Sequence, residues 1–377
     1  MTERLFVDIH VIETLPPSCV NRDDLGSPKT AFYGGVTRAR ISSQAWKRAI
    51  RMEFEAMQEE IGQRTKHLSR LLTEQICTLA PETENAQELA EKIMGEMELK
   101  VGKDHTLGAL FFISPAQLRA LAKVAVEYGM IQEPKKPSDK ASDEKKAAYK
   151  EDKTVYEAYQ EKRDAAIREN PSLDVALFGR MLANNKKLSS DACAQVAHAI
   201  STHEVHNEFD YFTAVDDVER DSGAGHLGTM EFNSSTMYRY ATVNAVELQK
   251  YLGDQTAHAV RTFVEAFIRS MPTGKQNSYA NRVRPDAIYV TVRKNQPVNM
   301  AGAFERPVRA GKNGYVEPSV QRLTAYAEET LSYCDEPALE LTVGRNMESI
   351  AEPKKLSELL DTLEADLAAR LEGKEAK

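Results

Sequence analysis

Between Leu5 and Leu15 the chain alternates, with Leu5, Val7, Ile9 and Val11 set against Phe6, Asp8, His10 and Ile12, and this predicts a central strand. Phe32 and Tyr33, then Gly34-Gly35, then Val36, Arg38 and Arg40 predict two short strands around a glycine turn. The period then changes to that of a helix. Ser42 or Ser43 can cap it, because either hydroxyl can accept from the unpaired amides of a first turn. At about 100° per residue, Gln44, Lys47, Arg48 and Arg51 share one side of this helix, and Trp46, Ala49 and Ile50 take the other. From about residue 61 to 129 the pattern is helical in pieces, with Leu68, Leu71, Leu72, Ile76 and Leu79 forming one core-facing stripe. Residues 132–170 differ in kind. They open on PKKP, alternate Lys with Asp and Glu, and hold almost no large aliphatic residue, which predicts a solvent-exposed excursion outside the core, helical where ordered.

Beyond it, LDVALFGRMLANNKKL is compact and apolar, with Arg180, Lys186 and Lys187 at one end. A strand from Tyr238 to Val246, a helix over 254–270 with Val260, Phe263, Val264, Phe267 and Ile268 inside, and a strand over 287–293 follow. With the first strand and the helix after Ser42, the order is strand, helix, long insertion, strand, helix, strand. That is the order of an α+β, split βαβ ferredoxin-like fold, a scaffold that RNA-recognition domains share, although fold alone does not give function. Leucines at 356, 359, 360, 363, 367 and 371 predict a final amphipathic helix that packs on its own chain or on a neighbour.

Charge changes the picture at one place. The chain of 377 residues has a net charge of −8, yet the run from Lys29 to Arg51 holds six basic residues and no acidic one. On one helix face beside an N-terminus whose free amides favour anions, those cations outline a phosphate-binding surface, with an ordinary solvated helix face as the alternative. The flanking Lys29, Arg38 and Arg40, and the lack of a local acidic partner, favour an anionic polymer. The acidic balance confines such binding to a patch. Four scattered cysteines without CxxC or zinc spacing read as reduced thiols of a cytoplasmic protein. No apolar run approaches the roughly 20 residues that cross a bilayer, so neither export nor a membrane span is expected.

Other signals are weaker. Gly223, Gly225 and Gly228 have dinucleotide-loop spacing without the strand before and helix after, and read as a hairpin loop. His198, His203 and His206 stand five and eight apart, not at the four-residue step that pairs imidazoles on a helix, and no GxSxG, HExxH or P-loop occurs, so no cofactor or metal is expected. Lys275, Gln276 and Arg282 could touch a phosphate or a partner subunit. Arg22 and Lys29 flank a turn-rich loop in which Asp23 and Asp24 could hold a metal.

The blocks HVIETLPPSCVNRDD, FYGGVTRARISSQAWKRA, DVALFGRM, HAISTHEVHNEFDYFTAVDD, TMEFNSSTMYRYA and EPSVQR, in that order, resemble the CasC family of backbone subunits of the type I-E CRISPR Cascade complex. The resemblance implies a right-hand shape. A modified RRM-like palm would comprise 1–60 and 237–350, helical fingers 61–185, a connection 186–201, a β-hairpin thumb 202–236, and a C-terminal helix and tail 351–377. It implies a non-catalytic protein, several copies of which line up head to tail along a CRISPR RNA together with CasA, CasB, CasD and CasE, and meet target double-stranded DNA through the guide. It assigns the RNA backbone to Arg22, Lys29, Ser42, Gln44, Lys47, Arg48 and Arg51, support of a displaced nucleotide to Met181, and the wedge that kinks the strand at intervals to Phe212 and Thr213. A rival reading is a metal-dependent ribonuclease using Asp23 and Asp24, because related backbone subunits of other CRISPR types cut RNA with an acidic loop residue. A third is a structural subunit that touches no RNA.

Overall fold

A computed structural model describes residues 4–182, 188–215, 217–218 and 224–373. Lys186, Lys187 and Gly223 lie outside the described residues. In chain order come β1 (Phe6–Ser18), β2 (Thr30–Tyr33), β3 (Val36–Ile41), α1 (Ser43–Ala56), β4 (Gln63–Thr65), α2 (Leu68–Leu79), α3 (Ala86–Glu96), β5 (Phe111–Ile113), α4 (Pro115–Tyr128), α5 (Asp143–Arg168) and α6 (Leu173–Phe178). Then follow β6 (Ala194–Val196), β7 (Ala199–Ser201), β8 (Glu208–Val215), β9 (Ala224–Asn244), α7 (Ala245–Leu252), α8 (Thr256–Arg269), α9 (Gln276–Tyr279), β10 (Ala287–Arg293), α10 (Val316–Thr330), β11 (Leu339–Gly344) and α11 (Leu356–Leu371). The chain forms two compact units, one of residues up to Met57 with those from Ala194 onward, the other of residues 58–193.

The first unit is built on an antiparallel sheet of order β11-β10-β1-β9-β7-β3-β2, in which β6 and β8 also pair with β9. Ile9 of β1 faces Ala241 of β9 and Val290 of β10, which makes β1 the centre. Both faces of β1 are covered. That is why its polar positions Asp8 and His10 are as buried as Val7, Ile9 and Val11. On one face Arg239, opposite Val11, lays its guanidinium 3.6 Å over the Trp46 ring of α1 and 4.7 Å over Phe267 of α8, and donates from Nη1 to Glu13 at 2.6 Å. On the other, Ile12, Tyr238, Tyr240 and Tyr289 pack on Met300 and Phe304 and on Val320 and Leu323 of α10. Helix α11 buries Leu359, Leu360, Leu363 and Leu367 and packs beside α8, where Asp361 and Glu364 meet Arg261 at 3.1 and 3.0 Å. It docks on its own chain.

Two elements depart from their sequence reading. Strand β9 runs for 21 residues, because a hairpin arm and a core strand are continuous, and it stops at Asn244, whose side chain accepts from Glu247 N at 3.1 Å to cap α7. The predicted excursion is a second departure. Helix α5 is 26 residues long, and its C-terminal half buries Tyr156, Tyr159, Arg163, Ala166 and Ile167. Tyr156, Tyr159, Ala166 and Ile167 join Leu72, Ile76, Leu89, Ile93 and Leu121 in the core of the second unit, and only the N-terminal half of α5 is largely solvent-exposed. Tyrosines supply the apolar face that aliphatic counting missed. The leucine stripe of α2 is core at Leu68, Leu72 and Ile76, whereas Leu79 is 43% exposed.

Candidate nucleic-acid interface

Two left-handed glycines, Gly34 at φ 61° and Gly35 at φ 83°, turn β2 back on β3. Gly34 is further required because a Cβ there would lie 1.6 Å from the Glu305 carbonyl oxygen. The hairpin delivers the chain to Ser42, whose Oγ accepts from Ala45 N at 3.4 Å and starts α1, a helix with no acidic residue in its first turn. Trp46, Ile50 and Phe54 anchor α1, Gln44 and Arg48 are exposed, and Lys47 and Arg51 are half-buried at its flanks. The phase read from sequence therefore holds.

Asn21 joins the preceding loop to this helix. Its side-chain oxygen accepts from Ser42 N at 2.9 Å and its carbonyl from Lys29 N at 2.8 Å, so Lys29 and the α1 cap are held by one residue. Arg22 is exposed in the same loop and bridges to Pro28. The loop before α9 closes in from the other side, so tightly that a Cβ on Gly274 would fall 2.0 Å from the Val20 carbonyl oxygen. Burial, the largest cause, pushes the Cys19 thiol up, Arg22 and Lys275 pull it down, and Asp23 and Glu231 push it up again. Arg22 and Lys29 thus belong to a loop that Asn21 ties to the head of α1, Lys275 follows the glycine that packs on that loop, and Gln44, Lys47, Arg48 and Arg51 continue along the helix. This is a ledge of cations and helix-terminal amides suited to oxyanions.

Several candidates serve the fold instead. Arg38 is buried, and its guanidinium donates to the carbonyls of Tyr33, Ser201 and Phe304 at 3.1, 2.9 and 2.8 Å. It is a structural cation, not part of the ledge. Arg180 likewise donates to the carbonyls of Leu188, Phe112 and Ile167 within the second unit. Arg282 pairs with Glu53 at 3.2 Å. Asp23 Oδ1 accepts from Leu25 N at 2.9 Å and Ser27 N at 3.0 Å, shaping the loop. The three histidines separate: His203 is buried, stacks on Tyr315 at 3.7 Å and accepts from Thr236 N, whereas His206 is exposed. His198 Nδ1 accepts from Arg40 at 3.1 Å. Among the described residues no three His, Cys, Asp or Glu side chains converge as metal ligands would.

The β8–β9 hairpin carries Phe212 and Thr213 on opposite faces, since adjacent strand residues alternate. Phe212 faces Gly228, where a Cβ would be 2.4 Å from the ring, so the glycine lets the aromatic lie against the partner backbone. The hairpin base is tied to the Asn21 loop, because Glu231 accepts from Ser27 Oγ and from Asn207 Nδ2, each at 2.9 Å. Met181 belongs to the second unit and is 90% exposed. Sequence reasoning missed Asn21 and the Arg40–His198 pair. Both join segments distant along the chain, and no local pattern marks them.

Comparison with known proteins places the chain among others of one family. The family model described as CT1975-like protein matches residues 7–366. A solved chain described as "CRISPR RNA-guided surveillance complex, pre-nicking" is 32% identical, with a TM-score of 0.73 over 96% of this chain and 100% of that one. A second, described as "CRISPR RNA-guided surveillance complex", is 28% identical, with a TM-score of 0.58 over 96% of this chain and 98% of that one. No curated protein sequence matches.

Proposed function

This chain belongs to the CT1975-like protein family, and from that premise we propose that it is a non-catalytic, CRISPR RNA-binding backbone subunit of a Cascade-type surveillance complex. The observation that carries the reading is the ledge of Arg22, Lys29, Lys47, Arg48 and Arg51 around the Ser42 cap, in a protein of net charge −8. Guanidinium forks, an ammonium and helix-terminal amides grip phosphate and ignore base identity, which is what a holder of arbitrary guides requires.

The strand order β10-β1-β9-β6 around α1 and α8 supports reading the first unit as an RRM-like palm. Ordinary RRM domains stack bases on the aromatics of that sheet. Here His10, Tyr238, Tyr240 and Tyr289 are buried, under Met300–Phe304 and α10, which supports moving the contact to the helix ledge and leaving bases free to pair. The second unit takes the place of the fingers, with Met181 meeting a displaced nucleotide. The β8–β9 hairpin is the thumb, and Phe212 and Thr213 wedge the strand at regular intervals. Its outward face, with Phe209 67%, Tyr211 65% and Leu227 56% exposed, supports cover by a neighbouring copy in a head-to-tail filament that also holds CasA, CasB, CasD and CasE and meets target DNA through the guide.

Changing Lys29, Lys47, Arg48 and Arg51 together to glutamate tests the assignment. Protein expressed with a CRISPR RNA is expected to co-purify with protected fragments of regular spacing, and the quadruple variant to lose them while keeping its helical circular dichroism. Unchanged RNA retention by a folded variant would leave only a structural role.

A further inference from the structure

We infer that Arg40 and His198 form, with Lys29, a proton-coupled seat for one further RNA phosphate beside the α1 ledge, an inference that rests on the RNA-binding reading above. His198 is exposed just ahead of β7, whose Ala199 pairs with Ile41, the residue before the α1 cap. Arg40 stands on the adjoining strand opposite Ile200. Its guanidinium donates from Nε to the Thr30 carbonyl at 3.1 Å and from Nη1 to His198 Nδ1 at 3.1 Å. Arginine only donates, so the imidazole accepts at Nδ1 and carries its proton on Nε2. Lys29 adjoins the group through the backbone, its carbonyl accepting the Arg40 amide at 2.9 Å, and its charge acts on His198.

The charged groups that bear on His198, Arg40 from β3 and Lys29 from ahead of β2, are both cations, and together with partial burial, the larger cause, they hold the imidazole below its ordinary range. Two cations against a ring that cannot donate toward them form an incomplete arrangement. An oxyanion completes it. A phosphodiester oxygen between Arg40 and Lys29 cancels the charges that disfavour imidazolium. The ring then takes a proton from solvent on Nδ1, changes from acceptor to donor, and shares the anion with Arg40. A phosphate bound here therefore carries one proton into the complex as pH falls.

The test is a set of anisotropy titrations of a labelled polyuridylate oligonucleotide with the full chain. Wild-type affinity is expected to rise by about three- to tenfold between about pH 7.5 and about pH 5.5, tenfold corresponding to one unit of pKa shift on binding. His198→Asn keeps an acceptor for Arg40 but cannot take the proton, so it should bind like wild type at the higher pH and lose the rise. Arg40→Gln should weaken binding at every pH and lower the salt slope by about 0.7, the value for one phosphate on a single strand. Lys47→Ala with Arg48→Ala should weaken binding yet keep the rise. A His198→Asn protein that retains the rise, or an Arg40→Gln protein with the wild-type slope, overturns the seat. If the Lys47/Arg48 variant binds as tightly as wild type, the α1 reading falls and takes the seat with it.

Discussion

His10 shows at the scale of one residue what the alternation that predicts the central strand β1 leaves out. Its face also carries the polar Asp8, between Phe6 and Ile12, yet the ring lies fully buried within 5.4 Å of the Tyr240 and Tyr289 rings and hydrogen bonds through Nδ1 to Tyr238 Oη at 2.9 Å. Burial, with a smaller push from Arg293, lowers its pKa to about 3. The unfolded ring protonates near its ordinary value, about 6.5. Above that value the group leaves stability unaffected by pH. Below it the unfolded state binds a proton that the folded state refuses, so stability falls by up to about 1.4 kcal/mol per unit until the folded pKa is reached. Burial raises the pKa of neighbouring Asp8, which works in the opposite direction, so the signal must be isolated by difference. Urea unfolding of wild type and His10→Gln at about pH 7 and about pH 5 is expected to show wild type losing about 2 kcal/mol relative to the variant as acid is added. A constant difference across that window would mean that His10 titrates in the fold as it does in the unfolded chain.

Among elements, those with aliphatic periodicity were legible: β10 and α11 occupy the predicted residues 287–293 and 356–371. Elements whose burial rests on other chemistry were not. Arg38 and Arg40 share a strand face, but Arg38 finds the carbonyls of Ser201 and Phe304, more than 160 residues away, and turns inward. Strand β8 is exposed along its whole length, and only its pairing with β9 defines it. Helix α5 hid its core face behind lysines and glutamates. Tyr159, 2% exposed, hydrogen bonds through its hydroxyl to Glu96 and lies 5.4 Å from the Tyr128 ring of α4. Tyr159→Ala should therefore cost about 3 kcal/mol or more, in the range of buried aromatic truncations, and Lys150→Ala in the exposed half should stay within about 0.5 kcal/mol. Chemical denaturation of the two variants decides between a packed helix and a solvated excursion, the latter requiring both substitutions to be silent.

For the whole molecule, a net charge of −8 and a cationic ledge make opposite demands on RNA. The global field acts at a distance and is screened beyond about 8 Å at physiological salt, whereas contacts at the ledge release counterions phosphate by phosphate. Affinity should therefore fall with salt at a slope set by the number of phosphates engaged, not by net charge. Repeated copies magnify this. On the proposed head-to-tail arrangement, the contact that one copy makes with the next is heterologous and leaves an open end, so nothing in the protein closes the assembly and the RNA alone sets its length. Native mass spectrometry of the protein with polyuridylates of increasing length should then show bound copies added in equal increments of nucleotides. A glutamate at Arg48 should weaken every step alike. A single stoichiometry reached at the shortest RNA and unchanged at longer ones would instead require a closed oligomer, and with it a different use for the exposed face of the β8–β9 hairpin.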